Sequence, residues 1–93
     1  MNKFKNHFMN VFTSKKFEKM FKKCPQEIKD KFLERLKIFK ENKHSPALNN
    51  HSLSGKLKEL RSINISGDHR AIFEEKSKDI IFIAIGTHGQ LYK

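Results

Sequence analysis

An α+β fold is predicted for this chain, and three features of the sequence predict it. Apolar residues recur at helical spacing in the first half, they alternate or run continuously in the second half, and a polar loop containing a proline separates the two. At 93 residues there is room for one domain over 1–93, because a second core would lack the chain needed to bury its own apolar surface. Hydrophobic residues make up 37% of the chain and nine of them are Phe, so a core is feasible without disulfides or a metal.

Taken in order, residues 8–13 include apolar, β-tolerant residues and end in hydroxyl residues suited to starting a helix, which reads as a first strand. From Ser14 onward Phe17, Met20, Phe21 and Cys24 fall at i, i+3, i+4 and i+7, the stripe of one helical face. Pro25 suits the first position of a second helix, where its missing N–H would have had no partner, so the break lies at Cys24-Pro25. Ile28, Phe32, Leu33, Leu36 and Phe39 then repeat at helical spacing, while Glu27, Lys29, Asp30, Lys31, Glu34 and Lys37 face water. The two helices form a hairpin that must lie on something apolar.

That surface is expected from the second half. Residues 42–54, with Pro46 and Asn49-Asn50, are a polar loop. Residues 57–66 and 69–75 form a hairpin about the turn signal Gly67-Asp68. In its first strand Arg61, Ile63 and Ile65 fall on one side, and Leu60, Ser62, Asn64 and Ser66 on the other. After a polar turn at 76–79, the run 80–85 is apolar on both faces, as in a central strand covered by helices and flanked by paired strands. The predicted architecture is strand, two-helix hairpin, then a three-stranded antiparallel meander. It gives a four-stranded sheet with helices on one face and the other free for a ligand.

Charge narrows the partners. Twenty Lys plus Arg against ten Asp plus Glu leave a formal charge of +10, a field that attracts nucleic acid or an acidic protein, with a membrane surface as the lesser alternative. No apolar run approaches the roughly 20 residues that span a bilayer. The N-terminus interleaves Lys3, Lys5 and His7 with Phe4, Phe8 and Met9 and so lacks a secretory pattern; a cytoplasmic protein is expected. Cys24 is the single cysteine, which excludes an internal disulfide and a zinc ribbon and leaves it the role of a small apolar residue. His7, His44, His51, His69 and His88 have no i, i+4 pairing, so no metal site and no cofactor are expected.

Polar residues suited to chemistry lie in the strand half: His51 before the hairpin, Arg61 in its first strand, Asp68 and Arg70 at its turn, and Thr87, His88 and Tyr92 after the last strand. RNA cleavage without a metal needs a base for the 2′-hydroxyl, an acid for the departing 5′-oxygen and fixed positive charge on the phosphorane. His or Asp, His or Tyr, and Arg fit these roles, and Lys56 and Lys58 fit flanking phosphates. Tyr92 offers a face for an unpaired base. Each residue also has a purely structural explanation: a backbone-satisfied loop histidine, a turn aspartate, sheet-surface arginines, a tyrosine capping the core. Physics alone leaves a nuclease and a plain binding module both open.

Four stretches carry a resemblance: Phe12-Thr13-Ser14-Lys15-Lys16-Phe17, the run from His51-Ser52-Leu53-Ser54-Gly55 to Leu60-Arg61, Gly67-Asp68-His69-Arg70-Ala71-Ile72-Phe73, and Ile85-Gly86-Thr87-His88-Gly89-Gln90-Leu91-Tyr92. In this order they resemble the RelE/StbE and YafQ group of bacterial toxins, the closing Gly-Thr-His-x-x-x-Tyr being the most distinctive part. The resemblance implies an mRNA endoribonuclease without a cofactor, acting in the ribosomal A site and neutralised by a cognate antitoxin. Its products would be a 2′,3′-cyclic phosphate and a 5′-hydroxyl. It points to His51 or Asp68 as base and His88 as acid, and it matches Arg61 and Arg70 to arginines of RelE-like members and Tyr92 to the terminal aromatic position. On side-chain chemistry Arg70 and Tyr92 join the catalytic group, and Arg61, Lys56 and Lys58 are expected on RNA. YafQ-like members often carry an acidic residue directly after the first arginine and a histidine two positions on, where this chain has Ser62 and Asn64. A ParE-like toxin, which binds DNA gyrase and cuts nothing, is the alternative on the same fold. The six residues His51, Asp68, Arg61, Arg70, His88 and Tyr92 are expected to share one pocket on the uncovered sheet face.

Overall fold

A computed structural model describes residues 9–55 and 59–92. Along the chain lie β1 (Asn10–Thr13), α1 (Lys15–Lys23), α2 (Gln26–Glu41), a 3₁₀ turn (Pro46–Leu48), β2 (His51–Ser52), β3 (Leu60–Ser66), β4 (His69–Lys76), β5 (Asp79–Thr87) and α3 (His88–Leu91). The α+β class and the helical hairpin followed by a meander are as predicted. The sheet, however, has five strands, ordered β1-β5-β4-β3-β2. The fifth is β2, inside the stretch expected to be loop, where His51 pairs with Ser62 and Ser52 with Arg61. Two residues cannot show an apolar alternation; they pair because the outer edge of β3 offers backbone groups that need partners. The expected strand starts at Phe8 and at Leu57 lie outside the described residues.

Local chemistry sets the helix ends. Ser14 caps α1, its Oγ accepting from the Phe17 N–H at 3.0 Å. Cys24 is extended (φ −71°, ψ 148°), as the residue before a proline prefers. Pro25 stands one position earlier than predicted: it is the N-cap of α2, extended at ψ 152°, and its carbonyl accepts from the Ile28 N–H at 2.9 Å. The Cys24 Sγ donates to the Met20 carbonyl at 3.4 Å, and burial pushes this thiol up, with Lys29 opposing.

Helices and sheet meet through phenylalanines. Ring centroids are 5.3 Å apart for Phe32 and Phe82, 5.1 Å for Phe39 and Phe73, and 5.3 Å for Phe73 and Phe82. Such pairs contribute about 0.5–1.5 kcal/mol each beyond their burial. Leu33 departs from its predicted place in the apolar stripe and is 58% exposed. Successive helical residues project about 100° apart, so when Phe32 points into the core its neighbour is turned to the rim.

The sheet face beneath the helices carries Ile63, Ile65, Ala71, Phe73, Ile80, Phe82 and Ile85. A β-bulge explains how Ile80, Phe82 and Ile85 all reach this core despite their mixed parity. Phe73 pairs with Phe82 but Ile72 with Ala84, so Ile83 is the extra residue that resets the alternation. The opposite face then holds two rows across the strands. One is His51, Ser62, Ile72 and Ala84; the next is Asn64, Arg70 and Gly86. Among the described residues no helix is long and apolar enough to cross a membrane.

Candidate functional site

Four of the six grouped residues come together on the sheet face away from α1 and α2. A solvent-open cavity of about 370 Å³ is lined by Asn49, His51, Leu53, Arg70, His88 and Tyr92. β2 delivers His51 at the sheet edge, β4 delivers Arg70 one row further along, and α3 brings His88 and Tyr92 over the end of β5. Rows on one face of a sheet are about 7 Å apart along the strand, within reach of long side chains.

His51, Arg70, His88 and Tyr92 each contact a neighbour. The Asn49 carbonyl lies 2.8 Å from His51 Nδ1. A carbonyl only accepts, so Nδ1 carries the hydrogen and the neutral ring presents Nε2 as an acceptor. Asn49 itself is left-handed (φ 48°, ψ 48°), a conformation asparagine tolerates, and this turns its carbonyl toward the following histidine. Arg70 Nη1 donates to Asn64 Oδ1. The His88 ring packs against Tyr92, with centroids 4.7 Å apart and planes tilted by 52°.

α3 is held by a capping box. Thr87 Oγ1 accepts from the Gln90 N–H at 3.3 Å, and Gln90 Oε1 accepts from the Thr87 N–H at 2.8 Å. Thr-x-x-Gln is the sequence signature of that motif, so the turn that presents His88 could have been read from the chain. Asn49 and Leu53 could not. They line the cavity through the path of a loop, which no periodicity encodes.

Two expected members stand elsewhere. Asp68 is exposed in the two-residue turn after Gly67 (φ +53°) and is not among the lining residues. Arg61 pairs with Phe73 and shares parity with Ile63 and Ile65, which places its side chain on the helix-covered face. There its Nε donates to Asn50 Oδ1 at 2.7 Å. The alternation had already put Arg61 with Ile63 and Ile65; grouping it with the pocket conflicted with that pattern, and the pattern prevails. Lys56 and Lys58 lie outside the described residues.

Ser62 and Asn64, the two departures from the toxin pattern, have different surroundings. Ser62 is fully buried and its Oγ has no hydrogen-bond partner among the described residues. Asn64 is the acceptor that holds Arg70. Among the described residues, no three His, Cys, Asp or Glu side chains are grouped to hold a metal ion.

Comparison with solved structures identifies the same architecture in bacterial toxins. YafQ in the Escherichia coli DinJ–YafQ toxin–antitoxin complex superposes with a TM-score of 0.77 at 20% identity, covering 91% of this chain and 98% of that one. YafQ from E. coli strain BL21(DE3) gives 0.73 at 22% identity over 91% and 99%. A copper-bound mutant toxin from Helicobacter pylori gives 0.69 at 22% identity over 90% and 99%. At these identities the likeness carries the fold. Comparison with curated protein sequences finds no match. A family profile described as "Bacterial toxin of type II toxin-antitoxin system, YafQ" matches residues 9–93, nearly the whole chain. This chain therefore belongs to the YafQ family of bacterial type II toxin–antitoxin toxins.

Proposed function

We propose that this toxin is a metal-independent endoribonuclease that cleaves mRNA in the ribosomal A site in the cytoplasm, working as one domain over 1–93. The observation that carries the reading is the pocket itself: two histidines, an arginine and a tyrosine converge on an open face, and the acceptor nitrogen of one histidine is fixed by its loop. His51 Nε2 takes the proton of the 2′-hydroxyl as that oxygen attacks the phosphorus. The phosphorus–O2′ bond forms, the phosphorus–O5′ bond breaks, and His88 protonates the departing O5′. The products are a 2′,3′-cyclic phosphate and a 5′-hydroxyl. Arg70 places fixed charge on the phosphorane oxygens, and Tyr92 stacks on a neighbouring base. Of the two candidate bases, His51 is preferred over Asp68 because it lines the cavity.

A cognate antitoxin completes the proposal. The E. coli relative was solved with DinJ, and a +10 chain favours a partner that brings an acidic segment. Inducing the chain in cells and mapping new 5′ ends on transcripts tests the activity. Messages cut by the purified protein on ribosomes should carry 2′,3′-cyclic-phosphate and 5′-hydroxyl ends. DNA damage with intact messages would overturn the reading in favour of a gyrase-binding toxin.

A further inference from the structure

We propose that Arg61 is a positioning residue, which through Asn50 fixes the loop carrying His51, and does not contact RNA. The inference rests on the reading of His51 as proton acceptor. Its structural part stands on a chain of contacts away from the open face.

Residues 42–50 leave α2 and return to the sheet edge where His51 begins β2. Lys43 forms an ion pair with Glu75 of β4 and so pins the start of the loop. Leu48, fully buried, pins its middle to the core. Asn50 closes the end: its Nδ2 donates to the Lys43 carbonyl at 2.8 Å, while its Oδ1 accepts from Arg61 Nε at 2.7 Å. Both halves of the amide are engaged, and neither partner tolerates a flipped amide, since Nε–H only donates and the carbonyl only accepts. The backbone on either side of Asn50 is therefore set. On one side is the Asn49 carbonyl that takes the His51 Nδ1 hydrogen; on the other is His51 itself. Arg61 is suited to this by the strand: it pairs with Ser52, on the helix-covered face, directly beside the loop it holds.

A phosphate contact and a loop clasp predict different behaviour. Lysine keeps the charge of arginine but has a methylene where Nε–H sits, so it cannot donate from that position. Arg61→Lys should lower the single-turnover cleavage rate by about 10²-fold, nearly as much as Arg61→Ala, since misplacing a reacting group by about 1 Å has that effect. Binding of a fully 2′-O-methylated single-stranded RNA should keep its affinity and its salt dependence. Asn50→Ala should match Arg61→Ala, and the double variant should be no worse than either alone. In the wild-type chain the ¹⁵N shifts of the neutral His51 ring should show the Nδ1–H tautomer, and that preference should weaken in both single variants.

The proposal is overturned if Arg61→Ala weakens RNA binding and lowers the slope of log K against log salt by about 0.7, the signature of one lost phosphate contact on a single strand. Cleavage retained in Arg61→Lys, or a His51 tautomer unmoved by removing Arg61, overturns it equally. If Arg61 variants fail to fold, by circular dichroism, Asn50→Ala carries the same readouts. A wild-type chain that cuts no RNA would refute the nuclease reading, and the ring shifts would still decide whether the clasp holds His51.

Discussion

His51 and His88 reach the pocket from segments 37 positions apart, and each is oriented by a contact made within four residues of itself. Local contacts of this kind are what let a half-buried and an exposed histidine be presented reproducibly without deep burial. Under the proposed chemistry, His88→Ala removes the proton donor and should slow cleavage by about 10²–10⁴-fold, abolishing growth arrest while leaving antitoxin binding intact. Undiminished toxicity would remove His88 from the mechanism. Ser62 makes a second test at this scale. Its hydroxyl is buried and unpartnered, which costs about 1–3 kcal/mol for such a group, so Ser62→Ala should raise the stability measured by denaturant unfolding. A variant less stable by about 1 kcal/mol or more would show that the hydroxyl has a partner in solution.

Among the elements, α3 is too short to be stable alone, and its four residues owe their place to the Thr87–Gln90 capping box and to contact with β5. Gly86 makes that box possible. A Cβ there would lie 2.6 Å from Gln90 Oε1, the atom that accepts from the Thr87 N–H. Gly86→Ala should therefore displace the Gln90 side chain, destabilise the fold by about 0.5–2 kcal/mol, the usual worth of a cap, and misplace His88 enough to slow cleavage. Gln90→Ala should have a similar effect, and the two should not add, because they act on one contact. Thermal unfolding of the two single variants and the double checks this; additive losses would show that Gly86 matters for another reason. The loop between α2 and β2 is organised differently, by side chains reaching to the sheet, and accordingly left little trace in the local pattern.

At the scale of the whole molecule, Phe82 ties the parts together. Its ring lies within 5.9 Å of Phe17, Phe32, Phe39 and Phe73, one from α1, two from α2 and one from β4. Phe82→Ala should cost about 3–5 kcal/mol. A domain of this size has a total stability of about 5–15 kcal/mol, so that single change should lower the melting temperature by tens of degrees or abolish the folded state. A small shift would mean that the core closes around the loss. The +10 charge acts at the same scale: it belongs to no single site, and it attracts polyanions to the molecule as a whole.

Period and local signature were readable in the chain, apart from Leu33, which the helical stripe placed toward the core and the fold leaves at the rim. The two helical stripes, the Gly67-Asp68 hairpin, the apolar run of β5, the Ser14 cap and the closing Gly-Thr-His-x-x-x-Tyr are each local, and each was legible. Tertiary structure alone decided the partners of residues distant in the chain. β2 exists because β3 has an edge to offer, β5 serves the core on mixed parity because a bulge absorbs Ile83, and Asp68, exposed in its turn, is not among the residues that line the pocket. Arg61 shows both sources at once: alternation assigned its face, and only the fold supplied Asn50 as its partner. The physical reason is that side-chain periodicity records which face a residue must bury, whereas the identity of a neighbour across strands or loops depends on register, and register is set by packing of the whole chain.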